Sequence, residues 1–154
     1  KVGKGSRFTV TIPVSINQIP PDFPAEGERS LVVPENLNIL LVDDEEPILS
    51  SIQSFLETKG HSVVVTTSGK KGLRFFKDQA FDLVLSDITM PDMDGLELIS
   101  KLKSINENVK LIAITGHLEE EKLESASEAG ADKILIKPFK NEDLYKTIGE
   151  VFAI

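Results

Sequence analysis

The sequence predicts an α/β fold over residues 37–154: a five-stranded parallel sheet in the order 2-1-3-4-5, doubly wound by five helices. Two observations carry this expectation. From Leu37 onward, short apolar runs of strand length alternate with segments whose apolar positions recur at three- and four-residue spacing, giving five strand–helix units with short connections. The strand-like runs are also nearly continuous in Ile, Leu and Val, the pattern of parallel strands covered on both faces. Right-handed crossovers then distribute the helices over both sides of the sheet, and the stated order is the compact choice for five strands.

The first unit pairs Asn38 to Val42 with a helix marked by Ile48, Leu49, Ile52, Phe55 and Leu56, and Gly60 stands where a helix-ending glycine is expected. The second has Ser62 to Thr66, then Ser68 as N-cap of a helix carrying Leu73, Phe75 and Phe76. In the third, Asp82 to Ser86 leads through a turn at Asp92-Met93-Asp94-Gly95 into a helix with Leu96, Leu98, Ile99 and Leu102. The fourth runs from Val109 to Thr115 and on to Leu118, Leu123, Ala126 and Ala129, closed by Gly130. The last strand is Lys133 to Ile136, followed by Asn141 as N-cap and a helix with Leu144, Ile148, Val151 and Phe152. His61, at the opening of the second strand, reads as plain surface.

Upstream the character changes. Arg7 to Ile12 alternates polar with β-branched or aromatic residues and stops at Pro13, as one half-buried strand would. Five of the eight prolines lie within residues 1–36, and Asn17 to Asn36 shows neither period, so 17–36 reads as a linker. A lone strand has no independent stability, so residues 1–16 are either a remnant of another domain or a segment that docks elsewhere.

Composition narrows the classes of function. With 40% hydrophobic and 27% charged residues the chain is too apolar to be disordered. The longest aliphatic run, Ile39 to Val42, is far short of a membrane span, and the N-terminus lacks a signal-peptide layout, so a cytoplasmic module without membrane contact is expected. The net charge of −8 argues against nucleic acid as a direct partner, and because residues 1–36 are balanced the whole excess falls on the remainder. Cysteine is absent, so any metal must be held by oxygen.

Chemistry gathers at the strand ends. In a parallel sheet of this order the carboxyl ends converge on one rim, bringing together Asp43 and Asp44, Asp87, Thr115 and Lys137. Each has a plainer reading alone: Asp87 or Thr115 as a cap, Asp43 to Glu46 as an acidic helix start, Lys137 as a solvated lysine. Together, three carboxylates, a hydroxyl and an ammonium describe a site for a hard divalent cation and a phosphoryl group. Mg²⁺ would offset the repulsion between the acids, leaving Asp87 able to attack phosphorus and form an acyl phosphate.

Residues 37–154 resemble a response-regulator receiver domain of two-component signalling. The resemblance rests on Ile39-Leu40-Leu41-Val42-Asp43-Asp44-Glu45, on Asp82 to Gly95 with Ser86-Asp87-Ile88-Thr89-Met90-Pro91 at its centre, on Leu111 to Gly116, and on Gly130 to Phe139 with Lys137-Pro138. It implies a flavodoxin-like fold with Asp87 as phosphoacceptor. It further implies Mg²⁺ held by Asp43, Asp44, Asp87 and the backbone carbonyl of Thr89, Thr115 as the switch hydroxyl, Lys137 as the ion-pair partner of the phosphoryl group, and a cis bond before Pro138. The family usually has Tyr or Phe three residues before the lysine; here Ile134 stands there, so the signal is expected to run through the Thr115 loop and the helix after it. His117 is either an exposed loop histidine or, with Thr89, a residue that shapes water access to the phosphoaspartate.

Val2 to Pro13 is similar to the last hairpin of a histidine-kinase ATP-binding domain, without that domain's glycine boxes, so ATP binding is not expected. Kinase tail, linker and receiver in that order imply a fragment of a hybrid sensor histidine kinase, the parent being the transferase; a stand-alone regulator with a leader is the alternative. The partners implied are a histidine kinase domain, in the same parent chain, and a histidine-phosphotransfer protein. Two other functions compete. Asp92-Met93-Asp94-Gly95 resembles the nucleophile motif of haloacid-dehalogenase-type phosphatases, although Asp92 follows Met90-Pro91 instead of a strand. A pseudo-receiver that only binds partners would have no need of the clustered acids.

Overall fold

The computed structural model describes residues 31–116 and 120–153. The strand expected at Arg7 to Ile12, most of the linker, and His117 therefore lie outside the described residues.

Ten elements alternate as the periodicity requires: β1 (Asn38–Val42), α1 (Glu46–Thr58), β2 (Ser62–Thr66), α2 (Gly69–Asp78), β3 (Leu83–Asp87), α3 (Gly95–Ile105), β4 (Lys110–Thr115), α4 (Glu120–Ala129), β5 (Lys133–Ile136) and α5 (Asn141–Phe152). All pairings are parallel and the order is β2-β1-β3-β4-β5. The expected fold class is the observed one. Among the described residues no helix is long and apolar enough to cross a membrane.

The near-continuous apolar strands divide by parity into two cores. Ile39, Leu41, Leu83, Leu85, Ile112 and Ile114 face α1 and α5, where Leu49, Ile52, Leu56, Leu144 and Ile148 meet them. Leu40, Val42, Val84, Leu111 and Ala113 face the other way, against Phe76 of α2, Leu98, Ile99 and Leu102 of α3 and Ala126 of α4. Successive side chains of a strand point to opposite faces, so a strand buried on both must be apolar throughout. Helix ends follow their local chemistry. Ser68 caps α2 by accepting from the Lys71 amide at 3.2 Å. Gly60 and Gly130 leave α1 and α4 at φ of 89° and 111°, a region where a side chain is strained.

Three local expectations are corrected. Asp87 is the last residue of β3, and the strand begins at Leu83 instead of Asp82, whose carboxylate accepts the Asn38 amide at 2.8 Å. Asn141 does not cap α5 but is its first residue. The cap position belongs to Lys140, whose amide is accepted from inside the helix by the Asp143 carboxylate at 3.0 Å. His61 is not surface but 5% exposed, its Nδ1 accepting the Leu37 amide at 3.3 Å and its ring 6.1 Å from that of Tyr145. The parity of β2 explains it, since His61 falls on the same face as Val63 and Val65 in the α1/α5 core. Leu31 and Val33 lie on this side too, so close to α5 that a Cβ on Gly149 would stand 3.0 Å from Leu31 Cβ.

Burial pushes the His61 imidazole below its ordinary pKa of 6.5. The folded chain thus binds this proton less readily than the unfolded chain, and the His61 contribution to stability is present above 6.5 and lost as pH falls from there through the lower folded pKa. The urea midpoint of the native protein should drop between pH 7.5 and 5.5 by more than that of His61→Gln, which cannot titrate; parallel profiles would refute it. At the other end of the sheet, a Cβ on Gly95 would collide with the Asp87 carbonyl oxygen and Ile88 Cα and stand 2.9 Å from the Asp87 carbonyl carbon. Gly95→Ala should cost about 2 kcal/mol or more in urea denaturation, because the obstacle is backbone that cannot swing aside.

Candidate functional site

The site is built at the carboxyl rim from the ends of β1, β3, β4 and β5. Asp43 follows β1 and is wholly buried, its amide held by the Thr66 carbonyl at 3.2 Å and its Oδ1 accepting the Glu45 amide at 2.9 Å. Asp87 ends β3 with 5% exposure; its Oδ1 accepts the Thr89 amide at 2.7 Å. Asp44 is exposed beside them. One carboxylate oxygen from each of Asp43, Asp44 and Asp87 can be taken within 4.8 Å of the others.

Lys137 follows β5 and reaches back over the rim. Its ammonium donates to Asp87 Oδ2 at 2.7 Å, to Asp43 Oδ2 at 2.8 Å and to Glu45 Oε1 at 3.2 Å. The backbone fixes its origin: the Lys137 amide donates to the Thr115 carbonyl at 2.7 Å, and the Lys137-Pro138 bond is cis, as the resemblance implied. Thr115, wholly buried, closes β4 beside it. All five predicted rim residues thus belong to adjoining strand ends, and of the candidate site residues His117 lies outside the described ones.

Electrostatics bind the cluster together. Burial pushes the Asp43 carboxyl above its usual range and the Asp87 charge adds to this, while the Lys137 and Glu45 hydrogen bonds oppose it. Burial works against the Lys137 ammonium as well, but the Asp43 and Asp87 carboxylates outweigh it and hold its pKa well above the ordinary lysine value, so it remains a cation. The donor set is all oxygen and predominantly carboxylate, which suits a hard divalent ion such as Mg²⁺ and gives softer metals nothing to prefer.

The sequence reading missed two residues. Glu45 contributes a third anion to Lys137, a role its place directly after the Asp pair could have signalled. Asp92, which the sequence offers as a turn residue or a rival nucleophile, is the other. It sits in the loop after β3, and its carboxylate is taken up by the Ser68 hydroxyl at 2.6 Å and the Gly69 amide at 3.2 Å, while Asp94 caps α3 through the Leu96 amide. The strand-end position that a dehalogenase-type nucleophile requires is occupied by Asp87.

Comparison with known proteins agrees with this geometry. The family model of the response regulator receiver domain matches residues 39–149. The sensor protein EvgS of Escherichia coli (strain K12) is 33% identical over 145 residues, 94% of this chain but 12% of that protein's length. Among solved structures, a CheY-like receiver domain protein from Methanospirillum hungatei JF-1 is 35% identical with a TM-score of 0.72, covering 75% of this chain and 93% of that one. Vibrio cholerae chemotaxis protein CheY4 is 28% identical with a TM-score of 0.72, covering 75% and 98%. With the matched residues running from β1 into α5 and the whole acidic rim among them, the chain belongs to the response regulator receiver domain family.

Proposed function

We propose that residues 37–154 form the phosphoacceptor module of a phosphorelay, taking a phosphoryl group from a histidine onto Asp87. The observation that carries this reading is the Asp87 carboxylate itself, held at one oxygen by Lys137 and at the other by the Thr89 amide, with Asp43 and Asp44 alongside. Each carboxylate oxygen retains a second lone-pair direction, so Asp87 is oriented without being blocked. One of its oxygens forms the O–P bond as the N–P bond of the donor breaks, and the released imidazole takes a proton from solvent.

Mg²⁺ held by Asp43, Asp44, Asp87 and the Thr89 carbonyl would supply the charge that offsets repulsion between these acids and an incoming phosphoryl group. Lys137, kept cationic, meets the developing charge on the phosphoryl oxygens, and the Thr115 hydroxyl moves toward them. Thr89 and His117 then govern how water reaches the adduct. The group leaves by hydrolysis or by transfer to a histidine-phosphotransfer protein. A groove beside Lys137, lined by Pro47, Ile48, Ser51, Ile52, Pro138 and Phe139, supports docking of a helical donor on this side.

Ile134 packs partly buried against the core on the α3/α4 side. With no aromatic ring to flip, the output runs through the Thr115 loop and α4. The 145 residues matched to the sensor protein EvgS extend upstream of Leu37 into the segment read as kinase tail and linker, which supports origin in a longer sensor chain; we read that chain as a hybrid kinase. The parent chain would then be the histidine kinase and this module its cytoplasmic receiver.

Incubation with Mg²⁺ and acetyl phosphate should add one phosphate by intact mass, lost in Asp87→Asn and slower to decay in His117→Ala; an adduct that survives Asp87→Asn would defeat the assignment. Beryllofluoride, a phosphoryl mimic, should shift the amide resonances of α4 (Glu120–Ala129), and unchanged α4 spectra would exclude that output route.

A further inference from the structure

The loop between β3 and α3 is fastened to the first turn of α2. Asp92 accepts from the Ser68 hydroxyl at 2.6 Å, from the Gly69 amide at 3.2 Å and from the Lys70 amide at 3.3 Å. The Ser68 amide donates in turn to Thr66 Oγ1 at 3.2 Å, and the Thr66 carbonyl accepts the Asp43 amide at 3.2 Å. A hydrogen-bonded path therefore runs from the backbone of Asp43, along the end of β2, to the loop that carries Thr89. Apolar contact tightens the same junction, since a Cβ on Gly69 would stand 3.0 Å from Met93 Cβ and 3.3 Å from Met90 Cε.

Formation of α3 does not call for this carboxylate, because Asp94 already caps that helix. The Asp92 charge is met locally, by three donors and by the positive end of the α2 dipole. The Ser68 hydroxyl foremost holds the Asp92 carboxyl below the usual range. What the arrangement accomplishes is placement of the loop.

We infer that Asp92 is a positioning residue for the cation site: by pinning the β3–α3 loop to α2, it fixes where the Thr89 carbonyl stands relative to Asp43, Asp44 and Asp87, and so sets the affinity for Mg²⁺. The inference rests on the reading of those acids as a Mg²⁺ site. Groups that orient metal ligands from behind are commonly worth about 10–100-fold in affinity. With all three carboxylates untouched, removal of Asp92 falls at the low end of that range.

Titration calorimetry of the whole chain with magnesium chloride tests this on the native protein, Asp92→Ala, Asp92→Asn and Ile148→Val. Ile148 lies in the α1/α5 core away from the loop and controls for a general loss of stability. Asp92→Ala should bind Mg²⁺ about tenfold more weakly, with Asp92→Asn in between because it keeps one acceptor oxygen, and Ile148→Val unchanged. Amide hydrogen exchange at Gly69 and Lys70 should rise in Asp92→Ala. If the native chain binds no Mg²⁺, the reading of the site fails and this inference with it. If the native chain binds and Asp92→Ala binds equally well, or Ile148→Val weakens binding as much, the positioning role is overturned while the site stands.

Discussion

One ammonium group makes the acidic rim possible. Asp43 and Asp87 are almost fully removed from water on neighbouring strand ends, and two such carboxylates would expel each other if nothing lay between them. Lys137 lies between them, donating to both within 2.8 Å and to Glu45 beyond. Its own desolvation is offset by the two carboxylates it bridges, so the three groups depend on one another. Any cation that enters must share carboxylates already engaged by lysine, which makes the site a balance between two positive charges and not a vacant cage.

The fold serves this balance by rigidity at close range. The β4–β5 pairing ends in the 2.7 Å bond from the Lys137 amide to the Thr115 carbonyl, which ties the backbones of the lysine and the threonine together. On the opposite flank the α3 N-terminus approaches the Asp87 carbonyl so nearly that only glycine fits at position 95. The loop between Asp87 and Gly95 is thus confined by α3 at one end and by α2 through Asp92 along its length.

Much of this is legible in the sequence, and for identifiable reasons. Runs such as Ile39 to Val42 and Leu83 to Leu85 are apolar at every position because both sheet faces are covered, which exposes a parallel sheet directly. The rim residues were legible because strand ends in such a sheet share one edge by topology alone. What escaped was three-dimensional pairing without a periodic signature. Asn141 looked like a cap because its residue type favours caps, yet Asp143 made the cap from inside the helix. Asp92 met Ser68 across 24 residues, a contact that no local pattern announces. His61 is the instructive case, since extending the β2 parity by one residue would have placed it in the core.

That parity has a further consequence at the rim. Thr115 continues the alternation of Leu111 and Ala113, which belong to the layer of α2, α3 and α4, whereas Lys137 continues that of Leu135, which belongs to the layer of α1 and α5. Displacing the hydroxyl and displacing the ammonium therefore press on different sides of the sheet. The chemistry on this sheet edge is thus backed by both helical layers at once, the hydroxyl rooted on one side and the ammonium on the other.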